Sequence, residues 1–262
     1  MNCLVTGSTD GIGLETARQM LAKGYRVLVH GRSEAKARKA AQQLAGAVAV
    51  WGDFSRLAEL KPLAQQVTQA VGELDVLINN AGVFMRERVL TEDGHETTFQ
   101  VNHLAHFALT LLLLPSLKKA KQARVVNVSS GVHFNGQLDL DDLDLARGFE
   151  GYRAYAASKL ANVHFTHELA RRLAGTPVVT SALHPGVIGT KLLRGGFGGS
   201  GGASLESGAR TSVYCATSKE AGETTGRYFS DARETPCARQ ANDEAVEKKL
   251  WELSAKWTGV NA

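Results

Sequence analysis

The stretch Thr6-Gly7-Ser8-Thr9-Asp10-Gly11-Ile12-Gly13 follows a short apolar run, Leu4-Val5. It opens a helical pattern over residues 11–23, with Leu14, Ala17 and Leu21 on one face. A chain that begins strand, glycine turn, helix has few folds open to it. Gly7 permits the tight turn, Gly11 lets the backbone approach a pyrophosphate, and Gly13 lets helix and sheet pack closely. The unpaired N–H groups and the positive end of the helix dipole then hold phosphates. A glycine pattern alone is weak, but this strand-turn-helix context predicts dinucleotide binding. Ser8, Thr9, Asp10 and Ile12 are expected to contact the cofactor together with the three glycines.

Short apolar runs and helical stripes alternate along the rest of the chain. Strands are predicted over 25–29, 47–50, 74–78, 124–128, 178–183 and 226–229. Leu57, Leu60, Ala64, Val67 and Val71 mark one helical stripe, and Ala157, Ala161, Phe165, Leu169 and Leu173 another. Strands that are apolar on both sides and separated by helices imply a parallel sheet buried between two helical layers. The expected fold is α/β, a single doubly wound Rossmann-type domain over 1–262 with a parallel seven-stranded sheet. The apolar run 107–114 is too short to span a bilayer and reads as a buried helix, for which a second subunit is one candidate cover. The segment Gly195-Gly196-Phe197-Gly198-Gly199-Ser200-Gly201-Gly202 has little side chain to pack and predicts a mobile loop. It follows the sixth strand, at the carboxyl edge where doubly wound sheets bind ligands, so residues 189–215 are expected to form a substrate lid. A plain linker is the alternative.

Charge and cysteine content narrow the partners. The net charge of +4 is spread along helices with no basic block, which argues against nucleic acid. Cys3, Cys215 and Cys237 are far apart and lack metal-ligand spacing, so no metal is expected and a reducing, cytoplasmic location fits. Met1 and Asn2 lead straight into the first strand, so no signal peptide or membrane anchor is expected.

The end of the second strand should read the adenosine ribose, and an NAD site usually has a carboxylate there. This chain has His30-Gly31-Arg32. Arg32 is placed to grip a 2′-phosphate, with Lys36, Arg38 and Lys39 adding positive field or forming an ordinary solvated helix face. Asp10 would oppose that phosphate. NADP(H) is favoured, with NAD(H) the alternative. Asp53, after the third strand, is a candidate acceptor for the adenine amino group, and also a helix cap. Its neighbour Phe54 is placed at the same edge.

Tyr155 and Lys159 stand four residues apart, which puts phenol and ammonium on one helix face. A free tyrosine has a pKa near 10, and a fixed positive charge nearby lowers it. A tyrosine so tuned can exchange a proton with an alcohol near neutral pH. Tyr152 lacks such a lysine. His133, His164 and His167 read as structural histidines. Trp251 and Trp257 fall on the stripe with Val246, Leu250 and Leu253, which reads as core.

With these motifs in place, the chain resembles the short-chain dehydrogenases/reductases over nearly its whole length. The resemblance rests on Thr6 to Gly13, Asn79-Asn80-Ala81-Gly82, Asn102, Ser130, Tyr155, Lys159, Pro185-Gly186 and Thr190. Within that family it is most similar to the retinol dehydrogenase and WW-domain oxidoreductase branch, through Ser-Ser-Gly-Val-His at 129–133 and His184-Pro185-Gly186. The resemblance implies an oxidoreductase acting on a small carbonyl or alcohol substrate. It makes Tyr155 the general acid in reduction and base in oxidation, with Lys159 lowering its pKa and bonding the nicotinamide ribose. It implies that Ser130 donates to the substrate oxygen, and that Asn102 kinks its helix and holds a water leading to Lys159. Asn80, Ala81 and Gly82 would line the cofactor floor, and Pro185, Gly186, the Ile188 backbone and Thr190 would fix the nicotinamide. Ser129 is then the structural neighbour of Ser130. The chain is expected to be a monomer or a homo-oligomer, with a dimer through the long helices as one form. A non-catalytic dinucleotide sensor on the same fold is the main rival, disfavoured because Asn102, Ser130, Tyr155 and Lys159 are all present. The turn spacing and the chain length disfavour a nucleotide-sugar epimerase.

Overall fold

The computed structural model describes residues 1–199 and 201–261; Ser200 of the glycine-rich segment and Ala262 lie outside the described residues. The first half contains β1 (Asn2–Val5), α1 (Gly11–Ala22), β2 (Arg26–Gly31), α2 (Glu34–Gln43), β3 (Val48–Trp51), α3 (Leu60–Val71) and β4 (Val76–Asn79). Then come α4 (Thr97–Phe99), a π-helical turn (Gln100–Leu104), α5 (Ala105–Leu117), β5 (Ala123–Val128), α6 (Gly151–Arg172) and β6 (Val178–His184). The chain closes with α7 (Lys191–Phe197), α8 (Leu205–Thr217), α9 (Lys219–Gly222), β7 (Arg227–Ser230), β8 (Arg233–Glu234) and α10 (Glu244–Thr258).

The strands form one sheet in the order β3-β2-β1-β4-β5-β6-β7-β8. β1 to β7 are parallel, as the alternation of strands and helices requires. β8 is the departure from the seven-stranded expectation: two residues return antiparallel to β7, with Phe229 opposite Glu234. So short a pair, carrying Arg and Glu, has no apolar period to announce it.

Side chains alternate across the sheet. On β1, Leu4 joins the core under α3 and α5, whereas Cys3 and Val5 join the opposite core with Met20 of α1 and Val213 of α8. The apolar run on α5 is covered by this chain's own elements. Trp251 of α10 sits with its ring 4.9 Å from Phe107 and 6.0 Å from Phe165. Capping fixes the ends of α10: the Asp243 side chain accepts from Ala245 N and Val246 N, and Gly259 closes the helix at φ 66°.

The expected lid over 189–215 divides in two. Thr190 caps α7, its Oγ1 accepting from Leu193 N at 3.2 Å, and Gly198 ends that helix at φ 65°. Ile188 pairs with Ala203 in a parallel bridge. From Leu205 onward the chain is a core helix, not a loop. Gly208 packs so close that a Cβ there would come within 2.9 Å of Ile188 and 3.1 Å of Ile12.

Candidate active site

The carboxyl ends of β1, β4, β5 and β6 open onto one cleft of about 930 Å³, lined from Gly7 to Gly13 at one end and by Ser130, Tyr155 and Lys159 at the other. The glycine turn is locked from behind. A Cβ on Gly7 would lie 2.8 Å from Ala81 Cα, and one on Gly13 would lie 2.4 Å from Gly7 O. Gly11 faces open space, with only Thr190 Cγ2 near, at 3.9 Å. That opening at the start of α1 is the cradle a pyrophosphate needs, so the residues present fit a dinucleotide.

Two polar residues that the sequence reading passed over hold this turn. His30 Nδ1 accepts from Gly7 N at 3.0 Å, and its Nε2–H donates to Gly52 O at 3.0 Å. Burial lowers the His30 pKa to about 4, so the ring stays neutral, as these two bonds demand. Thr6 Oγ1 accepts from Asn80 N at 2.8 Å and Ala81 N at 3.0 Å, and donates to His106 Nε2 at 3.0 Å. His106 Nδ1–H in turn donates to Asn102 O at 2.9 Å. One imidazole thus joins the glycine turn to the π-helical turn at Asn102. The signal was the i, i+4 spacing of Asn102 and His106, but the Thr6 contact spans 100 residues and leaves no local trace.

Ser8 is a correction. Its Oγ donates to Val5 O and accepts from His30 N, and the residue is fully buried and does not line the cleft. The hydroxyl ties β1 to β2 because a buried hydroxyl needs partners in the fold. Phe54 is a second. Its ring is buried and stacks on His30 at 4.6 Å, leaving backbone as its route to a cofactor. Thr9, Asp10, Ile12, Arg32 and Asp53 line the cleft as expected. Asp53 Oδ1 accepts from Ser55 N and Oγ, so it caps a turn and does not start a helix directly. Arg32 is exposed and pairs with no carboxylate among the described residues. Lys36 joins it at the cleft, whereas Arg38 pairs with Glu34 and lies over Trp51. Asp10 forms an ion pair with Lys191 of α7, which bridges from α7 to the glycine turn. That hydrogen bond lowers the Asp10 pKa.

At the other end, α6 aims Tyr155 and Lys159 into the cleft, and both are buried. Lys159 Nζ donates to Val128 O at 3.0 Å and lies 5.5 Å from the Tyr155 ring centroid. Burial lowers its pKa to about 8. Burial raises the Tyr155 pKa, and a hydrogen bond with the Ser130 hydroxyl opposes the rise. The expected lowering by Lys159 does not set the phenol's pKa here: desolvation dominates, and the phenol stays protonated at neutral pH. Ser129 Oγ donates to Lys159 O at 2.6 Å and is occupied within the fold. Asn102 stands behind the cleft. Its Oδ1 accepts from Val83 N, and its Nδ2 donates to Val83 O and Ser158 Oγ. The π-helical turn across it is the helix irregularity anticipated at this residue. Gly82 lies against both groups: a Cβ there would meet Asn102 Oδ1 and Lys159 Nζ at 3.5 Å, an ordinary contact distance.

Asn80, Ala81, Gly82, Pro185, Gly186, Ile188 and Thr190 all line the same cleft. Tyr152 accepts from Asn135 Nδ2 at 2.7 Å. His164 is buried, and His167 bonds Ala241 O at 2.9 Å. Among the described residues no group of acidic, histidine or cysteine side chains could hold a metal ion, and no helix is long and apolar enough to cross a membrane.

The chain is similar to known proteins in sequence and fold. The family model described as short chain dehydrogenase matches residues 1–196. Retinol dehydrogenase 14 of Mus musculus is 39% identical, over 98% of this chain and 85% of its own length. The crystal structure of an uncharacterized protein from Mycobacterium Paratuberculosis superposes with a TM-score of 0.85 at 35% identity, covering 99% of this chain and 94% of that one. The structure of 3-ketoacyl-(acyl-carrier-protein) reductase from Brucella melitensis, complexed with NADH, shares the fold with a TM-score of 0.71 at 23% identity, over 87% of this chain and 95% of that one.

Proposed function

This chain belongs to the short-chain dehydrogenase family, and we propose that within it the protein reduces a carbonyl on an apolar skeleton using NADPH, with Tyr155 as the proton donor. It is an NAD(P)-dependent oxidoreductase of CH–OH and C=O groups. The observation that carries the finer reading is the convergence of Ser130, Tyr155 and Lys159 on the cleft that the glycine turn opens into.

When bound, the nicotinamide supplies hydride to the carbonyl carbon. As the C–H bond forms, the C=O π pair moves to oxygen. Ser130 donates a hydrogen bond to that oxygen. The Tyr155 phenol then gives up its proton, so carbonyl plus hydride plus proton becomes the alcohol. The Lys159 ammonium holds positive charge beside the phenolate that results. A phenol kept protonated by burial suits the acid role, and so the direction of reduction.

Two features support NADPH. Arg32 offers a guanidinium that pairs with no carboxylate among the described residues, beside Lys36, and no carboxylate ends β2. The charge of Asp10, which would repel a 2′-phosphate, is offset by Lys191. Cys3, Cys215 and Cys237 are unpaired, which fits a reducing compartment such as the cytoplasm. The substrate end of the cleft has walls of Val83, Met85, Val132, Val187 and Leu193. An extended apolar aldehyde or ketone suits them. The name of the 39% identical relative points to retinol, and its aldehyde falls in this class.

NADPH and NADH consumption with a panel of aldehydes, ketones and secondary alcohols tests the reading. We expect NADPH-dependent turnover of apolar carbonyls. A preference for NADH would overturn the cofactor assignment, and absence of turnover with both would overturn the reaction.

A further inference from the structure

We propose that His184 and His133 are positioning residues that clamp the Ser130–Gly131 peptide from both sides and so aim the Ser130 hydroxyl. The inference rests on the functional reading above, which gives Ser130 its task.

Apart from its hydroxyl's hydrogen bond with Tyr155, Ser130 has little local support. It lies past the end of β5 and begins a 3₁₀ turn over Gly131–Asn135. Its Oγ accepts from Val132 N at 3.4 Å, too long to fix a hydroxyl. The peptide that follows it is held firmly instead. Gly131 N donates to His184 Nδ1 at 2.9 Å. The carbonyl of Ser130 accepts from His133 Nδ1–H at 2.7 Å and from His133 N at 3.1 Å. Both ends of one peptide plane are therefore bonded, and Ser130 cannot swing without breaking a bond on one side.

These bonds dictate the two tautomers. A carbonyl cannot donate, so His133 carries its proton on Nδ1, and its bare Nε2 accepts from Ala238 N at 3.0 Å. An N–H cannot accept, so His184 has a bare Nδ1 and carries its proton on Nε2. Burial lowers both pKa values and keeps the rings neutral. The His184 ring lies against Gly131, where a Cβ would stand 3.4 Å from Nε2. His133 is fully buried, with its ring 4.7 Å from that of Tyr228 on β7. The chain from β7 to Ala238 lies beyond the segment matched by the family model, yet through His133 it reaches the active-site serine.

Hydride transfer is sensitive to misplacement of this size; a shift of about 1 Å costs about a hundredfold in rate. The test compares His184→Ala, His184→Asn and His184→Gln with wild type, using NADPH and the best carbonyl of the panel. The amide oxygen of Asn reaches the place of Nδ1, whereas Gln carries it one carbon too far. We expect His184→Ala to bind NADPH normally in a fluorescence titration. Its kcat per bound cofactor should fall roughly ten- to a hundredfold. The isotope effect with NADPH deuterated at the transferring position should rise, because chemistry becomes slower than product release. His184→Asn should restore most of the rate and His184→Gln should not. A loss of folded protein would leave the isotope effect unmoved. Wild-type kcat in His184→Ala overturns the clamp. If that variant does not fold, equal rates and isotope effects in the Asn and Gln variants overturn it. A wild-type protein inactive on the whole panel overturns the functional reading and the clamp with it, whereas an active wild type confines the failure to the clamp.

Discussion

Burial raises the pKa of the Tyr155 phenol and lowers that of the Lys159 ammonium to about 8. The sign of the pH dependence follows. Below about 8, Lys159 is charged and Tyr155 protonated, which is the pair that reduction needs. As pH rises through that value the ammonium is lost. We expect kcat for carbonyl reduction to be level near neutrality and then fall by roughly tenfold per pH unit. A steady-state profile measured to pH 10 checks this, and a flat profile would contradict it. Arg32 makes a second prediction. In Arg32→Ala, the Kd for NADPH should rise roughly ten- to a hundredfold, the worth of a charged hydrogen bond, with NADH binding unchanged. Equal effects on both cofactors in isothermal titration would remove the 2′-phosphate role. Tyr155 and Lys159 were legible in the sequence because one helix turn relates them. His30, His106 and His184 were not, because their partners Gly7, Thr6 and Gly131 come from other elements. Ser8 was misplaced for the same reason: a turn residue can face ligand or fold, and spacing does not say which.

At the scale of elements, α6 and α10 are joined by a buried polar cluster. Glu247 accepts from His167 Nδ1 at 3.1 Å and pairs with Arg171. Burial opposes the carboxylate, but the hydrogen bonds from His167 and Arg171, with the His164 ring nearby at 3.9 Å, outweigh it and hold the Glu247 pKa well below the usual range. Burial likewise opposes the charge on His167, yet bonds to Cys237 and Glu247 raise its pKa to about 9. A histidine raised in the fold contributes stability that is full below its unfolded pKa near 6.5 and lost as pH climbs through the folded value. Glu247→Gln should therefore cost roughly 3–5 kcal/mol at pH 6, as expected when one partner of a buried pair is removed. The deficit should shrink by pH 10 without vanishing, because Arg171 stays charged. Denaturant melts at the two pH values measure it, and a constant difference would contradict the assignment. The helical stripe of α10 was visible in sequence, but this cluster was not, since Glu247 lies 76 residues from Arg171. The glycine-rich segment misled in the other direction. Its composition announced a loop, while Thr190 caps α7 before it and α8 packs its small residues on α1 after it.

Across the whole molecule, the alternation of strands and helices specified the parallel sheet, because each parallel pair needs a crossover. That sheet brings residues from Gly7 to Thr190 to one cleft without local contact between them. Cleft width and wall shape arise from the packing of α4, α7 and the segment at 83–85, and no periodicity encodes them. On the proposed reading the glycine turn and the Tyr155 phenol lie at opposite ends of the cleft, so cofactor affinity and proton transfer should separate cleanly. Binding to the native state raises stability by about 2.7 kcal/mol at a hundred times Kd. Tyr155→Phe removes the phenolic hydroxyl and leaves the glycine turn intact. The most direct measurement pairs the NADPH-induced rise in Tm with steady-state turnover in this variant. The account predicts an unchanged rise in Tm and a loss of turnover of at least a hundredfold, the scale of general acid catalysis. Turnover at the wild-type rate, with the same rise in Tm, would contradict it.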